Sequence, residues 1–429
     1  MKITACGDAL IQRRIPNDYN GIDDVINQIK KGEARFVNLE TTIHNGEHFG
    51  SQFSGGSYLR ADPVVLEDIK NYGFNMLTFA NNHAFDFSYG GLLATKKAID
   101  DAGILNSGVG ENLDEAAAPV YLDTKNGRVA LISFVSSMVN PSAMAGKQSR
   151  RVKGRPGVNG LRCDSYLQIT KEELEVIKQI SEKSKINAQK DISRKEGFRP
   201  ALPDDIAILD ELVFKQGDET KFVTHPNKED LDRAKKVIYE AEMQADVILV
   251  SIHSHEVSGD SKENPADFIK EFAHECIDAG AHAVIGHGPH LLRPIEIYNE
   301  RPIFYSLGDF ILHHENVPFA PEEMYAKQNL TSDATMREVF CDRSANYTRG
   351  LIRDRKMLEA VIPYFEIEDG KLTYLELMPV ELNAQDPVFR RGNPRFSAGH
   401  GIIERLSEMS KPYGVNIQID DRGFGVVKL

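Results

Sequence analysis

The 429-residue sequence predicts an α/β fold whose main sheet is largely parallel and carries antiparallel additions. Two observations predict it. Short apolar runs with strand character alternate with amphipathic helical runs over roughly the first 120 residues, which demands crossover connections between parallel strands. Asn126-Gly127 then divides VYLDT from RVALISFV. An Asn-Gly pair accepts the positive φ angles of a two-residue hairpin turn, so antiparallel strands join the fold there.

The elements follow in order. Ile3–Cys6 reads as the first strand, 22–31 as a helix, 35–39 as a strand and 63–72 as a helix with Pro63 in its first turn. A strand over 74–79 leads to a helix over 89–102 that Gly103 stops. Residues 140–225 break this rhythm: a Lys-, Arg-, Ser- and Gly-rich stretch, a polar helix at 171–185, then loops around Pro200 and Pro203. That segment is expected to be an insertion over the core, either a substrate-facing lid or a solvated decoration. The pattern resumes with a helix at 226–244, a buried strand at 246–252, a helix at 264–279 and a strand at 282–285. Two hairpins follow, one turning at Asn299-Glu300 and one at Asp369-Gly370, and a last helix spans 397–410.

Composition narrows the function classes. A hydrophobic fraction of 41% and a charged fraction of 27% are those of a globular chain. A formal net charge of -13 disfavours a general nucleic-acid binder, which needs a basic surface to displace the counterions of a polyanion. It leaves anionic small molecules open, because a bound dication reverses the local field. Cys6, Cys163, Cys276 and Cys341 are scattered and form no CxxC pair, which argues for reduced thiols. No apolar stretch approaches the ~20 residues that span a bilayer, and the Met1–Asp8 start reads as a strand, not as a leader peptide. The expectation is a cytoplasmic protein with a small anionic or peptide-like substrate and neither nucleic acid nor membrane as partner. Homo-oligomerisation is compatible with the sequence.

The chemistry gathers where strands end. The first strand runs into Asp8 and the second into Asn38-Leu39-Glu40. The third runs into Asn81-Asn82-His83 with Asp86 close behind. The 246–252 strand ends at His253-Ser254-His255-Glu256, and the 282–285 strand at Gly286-His287-Gly288-Pro289-His290. Carboxyl ends of parallel strands share one edge of a sheet, where ligand sites of open α/β folds collect. Each motif alone has an ordinary explanation: Asp8 as a turn residue, Asn81 and Asn82 as a tight turn, His255 and Glu256 as a surface pair. Five such ends in one chain have none. Hard oxygen donors combined with imidazoles suit a divalent transition metal, Mn, Fe or Zn.

The strings GDAL at 7–10, NLE at 38–40, FANNHAFDFSYGGL at 79–92, SIHSHE at 251–256 and GHGPHLLRPIEIYNERPIFYSLGDF at 286–310 resemble the CapA family of poly-gamma-glutamate synthesis and capsule biosynthesis proteins. That family is similar to calcineurin-like metallophosphoesterases. The resemblance is close over 1–135 and 226–312. It implies a four-layer α/β/β/α sandwich of two mixed sheets in a single domain over 1–429, with 313–429 completing it. It also implies roles: Asp8, Glu40, Asn82, His253, His287 and His290 as metal ligands, and His83 as the imidazole that protonates a leaving group. Asp86 and His255 are further catalytic candidates. Asn38, Asn81, Glu256, Asp309 and Arg391 are candidates for binding substrate, with Arg150, Arg151, Arg155 and Arg390 as other anion-holding cations. The chain departs from phosphoesterases at Leu10, where a second ligand usually follows the first Asp, at Glu40 in place of Asp, and at Gly288 with its wider histidine spacing. One ion or two are both compatible with this pattern.

Two functions compete on this evidence. The first is a metal-dependent hydrolase acting on a gamma-glutamyl-type peptide or a phosphoester, with metal-assisted amide or epimerase chemistry as a variant. The second is a non-catalytic accessory protein of polymer or capsule synthesis.

Overall fold

Strand–helix alternation becomes a mixed α/β fold in the computed structural model, which describes residues 1–16, 19, 21–313, 317–350, 353–383 and 385–429. The strand Lys2–Leu10 lies at the middle of a ten-stranded sheet. On one side it pairs in parallel with Ala34–Leu39, followed by Met76–Thr78 and Leu105–Ser107. On the other side Glu359–Glu368 runs antiparallel to it, and Lys371–Glu381 continues the sheet. The short strand Asp309–Leu312 joins Lys2–Leu10 in parallel at its carboxyl end. A second, six-stranded sheet is ordered Ile295–Tyr298, Arg301–Phe304, Ala283–His287, Val247–His253, Gly127–Val135 and Val120–Thr124. All three expected hairpins form, with antiparallel pairing at each.

Alternation along the strands decides what packs where, because successive side chains point to opposite faces. Ile3, Ala5, Phe36 and Met76 share one buried cluster with Val129, Leu131, Val247, Leu249 and Ala283 of the second sheet. Cys6, Val37 and Leu77, one residue out of step, pack instead with Val25, Ile29, Leu66, Ile69, Leu92 and Ile99 from the helices Ile22–Ile29, Val65–Tyr72 and Ser88–Asp101. Ala130, Ile132, Ile248 and Val250 pack with Ala234, Ile238, Phe268 and Phe272 from Lys228–Glu242 and Asp267–Asp278. Each fully buried side chain of this size contributes roughly 1.5–3 kcal/mol.

Residues 140–225 hold more order than their composition suggests. The strands Cys163–Ile169, Ile206–Leu209 and Leu212–Gln216 form, with Lys221–Pro226, a separate four-stranded sheet. The helix Lys171–Ser184 packs on it, opened by a capping box between Thr170 and Glu173. The cluster between this sheet and helix has four buried members, Ile169, Leu174, Ala207 and Phe214, too few to give an apolar alternation readable in the sequence. The four cysteines are free. Among the described residues no helix is long and apolar enough to cross a membrane.

Candidate metal centre

Strand register brings the predicted strand ends together. Asp8 is level with Asn38 on one side and with Asp309 on the other, and His253 is level with both Val135 and His287. Two Gly-Asp pairs thereby stand side by side. A Cβ on Gly7 would lie 1.7 Å from the Gly308 carbonyl oxygen, so glycine is required where the two backbones meet.

Two groups of side chains come within ligating reach of one cation each: Glu40 with His253 and His255, and Asp8 with His290 and Asp309. Asp8 is fully buried; its Oδ1 accepts from Asn38 Nδ2 at 2.6 Å and its Oδ2 from the Gly288 N–H at 2.8 Å. His253 links the groups, with Nδ1 3.7 Å from Asp8 and Nε2 3.8 Å from Glu40. The Nε2 atoms of His253 and His255 are 3.2 Å apart. His290 Nδ1 is 2.9 Å from Asp309 Oδ1. Both carboxylate oxygens of Glu40, the second oxygen of Asp309 and the side-chain oxygen of Asn82 are buried without a hydrogen-bond partner. Buried acceptors cost about 1–3 kcal/mol each when left unpaired, and those of Glu40 and Asp309 belong to the two groups that could hold a cation.

The electrostatics agree. Burial would raise the Asp8 carboxyl, but the neighbouring imidazoles of His253, His287 and His290 bring it well below the usual range. Burial pushes Glu40 well above its ordinary value against the pull of His290, and Asp8, Asp309 and Asp86 add to the rise. Burial also lowers His253 and, more strongly, His255, keeping both imidazoles neutral and able to donate a lone pair. His290 goes the other way: burial works against its charge, but Asp309 and Glu40 raise it to about 10. Three crowded carboxylates thus draw positive charge to this point. His290 holds its place with a φ of 58°, a conformation rare outside glycine and typical of strained functional positions.

His83 stands beside this cluster, with Nε2 3.9 Å from Glu40 and Nδ1 2.7 Å from Asp86. Asp86 is fully buried and also accepts from the Gly55 and Leu59 backbone N–H groups at 3.0 and 2.8 Å. One carboxylate therefore orients His83 and pins the 51–59 loop against it. His83, His255 and His290 all face a cavity of about 710 Å³.

Several expected residues stand elsewhere. His287, expected as a ligand, is buried with Nε2 3.2 Å from the Cys6 carbonyl oxygen and Nδ1 3.2 Å from the Ser251 hydroxyl, and it belongs to neither ligating group. It ties the two sheets together behind the site. Asn38 and Asn81, expected to meet substrate, are buried. Asn38 donates to Asp8, and Asn81 donates to the Leu39 carbonyl at 2.8 Å while accepting from the His83 N–H. Glu256 accepts from the hydroxyls of Ser136, Ser137 and Ser254, which fixes the loop carrying His255. Arg391 donates to the Asp386 carbonyl and is not part of the cavity wall. Arg155 donates to the Met144 carbonyl, Arg390 lies over the Phe389 ring, and Arg150 and Arg151 are exposed.

The 140–225 insertion, expected as either a substrate-facing lid or a solvated decoration, contributes no described residue to the cavity wall. The mouth is built instead from the 55–59 loop and from Phe340, Arg343, Tyr347, Arg349 and Met357. Sequence reading passed over that last segment. Its signal was the density of arginine between Arg337 and Arg355, interleaved with Phe340, Tyr347 and Met357.

The model of the bacterial capsule synthesis protein PGA_cap family matches residues 2–314. The chain belongs to this family. A Sinorhizobium fredii protein named y4sH, itself uncharacterized, is 31% identical over 100% of this chain and 93% of its own length. The capsule biosynthesis protein CapA of Bacillus anthracis is 25% identical over 72% of the chain and 59% of that protein. The PGA biosynthesis protein CapA of Bacillus subtilis is 23% identical over 74% and 66%. Among solved structures, a phosphatase from Mycoplasma pneumoniae overlaps 89% of the chain and 93% of its own with a TM-score of 0.41 and 12% identity. A hypothetical protein from Thermus thermophilus overlaps 89% and 99% with a TM-score of 0.40 and 9% identity. In this PGA_cap family member the two ligating groups fall wholly inside the matched region, and the Phe340–Met357 part of the cavity mouth falls outside it.

Proposed function

We propose that this family member is a metal-dependent hydrolase acting on a gamma-glutamyl-type peptide or phosphoester bond, on a four-layer α/β/β/α scaffold of the metallophosphoesterase kind. The scaffold reading is supported by the three apolar clusters, one between the sheets and one on each outer face. The observation that carries the activity is the pair of ligating groups, with the orphaned acceptor atoms of Glu40 and Asp309 buried beside a cavity that His255 and His290 line.

Glu40, His253 and His255 would hold one divalent cation, Asp8, His290 and Asp309 a second, with the Asn82 side-chain oxygen available to either. Such a cation, Mn, Fe or Zn, would make a bound water acidic enough to attack near neutral pH and would polarise the substrate oxygen. The chain's own residues supply the rest. Asn38 and the Gly288 N–H fix both oxygens of Asp8, so the first carboxylate cannot rotate away. Asp86 fixes His83 through Nδ1 and leaves Nε2 toward the cavity, where it can pass a proton to a departing amine or alkoxide. The 51–59 loop, held by Asp86, shields that transfer from bulk water.

Purified protein reconstituted with Mn, Fe or Zn should hydrolyse bis(p-nitrophenyl) phosphate or gamma-glutamyl p-nitroanilide, and a chelator should abolish turnover. Absence of turnover on both substrates with all three metals, despite bound metal, would favour the accessory role.

A further inference from the structure

The cavity beside the ligating groups carries a charge pattern that the reaction centre does not use. Among the basic residues of 337–356, Arg353 donates to the Tyr347 carbonyl, Arg355 pairs with Glu359 and Lys356 pairs with Glu263. Arg343 and Arg349 both line the 710 Å³ cavity, and neither has an ion-pair partner among the described residues. Lys262 lines the same cavity and is likewise without one. The carboxylate in this wall, Asp354, accepts from the Lys356 backbone N–H at 3.0 Å as the cap of a short helical turn. Leu10, Leu59, Phe340 and Met357 supply apolar surface to the same cavity.

Arg343 also lines an adjoining cavity of about 420 Å³. The two cavities share Gly56 and Arg343, so this guanidinium stands at the junction of one longer cleft. A single phosphate or carboxylate at the ligating groups would leave most of that volume empty. Sites of several hundred cubic ångströms instead accommodate ligands of drug size or larger.

We infer that Arg343 and Arg349 form an anion-anchoring subsite for an elongated substrate, whose carboxylate or phosphate lies along the cleft while its reacting bond meets the strand-end cluster. This rests on the hydrolase reading for the reacting bond, but not for the binding itself. Planar guanidinium groups suit either anion, because two parallel N–H donors match two oxygens. The segment that carries them lies beyond residues 2–314, so the subsite sets substrate choice apart from the ligating groups.

Calorimetric titration of the full-length protein tests this with three probes. Gamma-glutamyl-gamma-glutamyl-glutamate supplies carboxylates, adenosine 5′-monophosphate supplies phosphate, and the N-acetylated, fully amidated tripeptide is neutral. At least one anionic probe should bind, roughly tenfold weaker after Arg343→Ala or Arg349→Ala, with partial rescue by lysine. The neutral tripeptide should show no dependence on either arginine, and both variants should keep the wild-type metal content. Whichever anionic probe binds identifies the source. The subsite is overturned if neither anionic probe binds, or if binding is within twofold in wild type and both variants. Arginine-dependent binding without turnover would sink the hydrolase reading alone; turnover with arginine-independent binding would sink the subsite alone.

Discussion

At the scale of single residues, the distinction that matters is between side chains that face the cavity and those that hold them in place. His83 faces it, and Asp86 acts on it from behind. His83→Ala is expected to leave bound metal unchanged while lowering kcat by about 10²–10⁴-fold, the usual contribution of a positioned proton donor. Steady-state kinetics beside metal analysis would check this, and loss of metal in that variant would place His83 among the ligands instead. Acid sensitivity belongs to this scale too. His313 is held down to about 3 by burial, with the Arg13 guanidinium adding to the effect, and burial holds His282 down to about 4 with Arg301 adding. In the unfolded chain both would titrate near 6.5. The unfolded state therefore binds more protons between pH 6.5 and these values, and stability falls as pH drops through that window. Urea midpoints should decrease steadily from pH 7 to pH 5, and His313→Gln should flatten that slope; a slope unchanged by the substitution would contradict the assignment. The ligand types at the strand ends were legible one residue at a time. What was not legible was direction: nothing in Gly286-His287-Gly288-Pro289-His290 says that His287 points back to the Cys6 carbonyl while His290 turns forward on a positive φ.

At the scale of elements, the site depends on strand ends meeting in register, and glycine enforces this. Gly7→Ala would drive a Cβ into the Gly308 carbonyl and force the strands Lys2–Leu10 and Asp309–Leu312 apart. We expect a loss of about 1–3 kcal/mol or more in stability, the usual cost of overpacking, together with loss of metal from the Asp8 group. Denaturant melts and metal analysis would detect both, and a variant with normal stability and metal would show that the backbones have room to part. Gly288 has a related duty: its φ of 112° and the Ser254 backbone 3.0 Å from a would-be Cβ leave no place for a larger side chain. The GDAL and SLGDF strings each show a Gly-Asp pair in the sequence, but only the sheet shows that the two pairs lie side by side. The strands and crossover helices of the first 120 residues were readable because both faces of each strand are buried. The four strands of the insertion were not, since one small cluster supports them and most of their side chains meet solvent.

At the scale of the whole molecule, a chain of net charge -13 concentrates carboxylates and imidazoles at one sheet edge and lines the adjoining cavity with Arg343, Arg349 and Lys262, which have no ion-pair partner among the described residues. The family-matched region supplies the ligating groups and the 55–59 loop, and later chain supplies the rest of the mouth. Length and composition could not reveal this division, because the mouth is assembled from segments some 300 residues apart, Gly55–Leu59 and Phe340–Met357. The insertion is the converse case, conspicuous in the sequence yet away from the cavity wall. The central claim is that Glu40, His253, His255, Asp8, His290 and Asp309 hold divalent metal while His287 does not. Elemental analysis of the wild type, His255→Ala, Asp309→Asn and His287→Ala, each dialysed after loading with Mn, Fe or Zn, tests it most directly. The account predicts bound metal in the wild type and in His287→Ala, and a loss of at least half of it in the other two. Wild-type protein that retains none of the three metals, or a His287→Ala variant that loses metal while His255→Ala keeps it, would contradict the account.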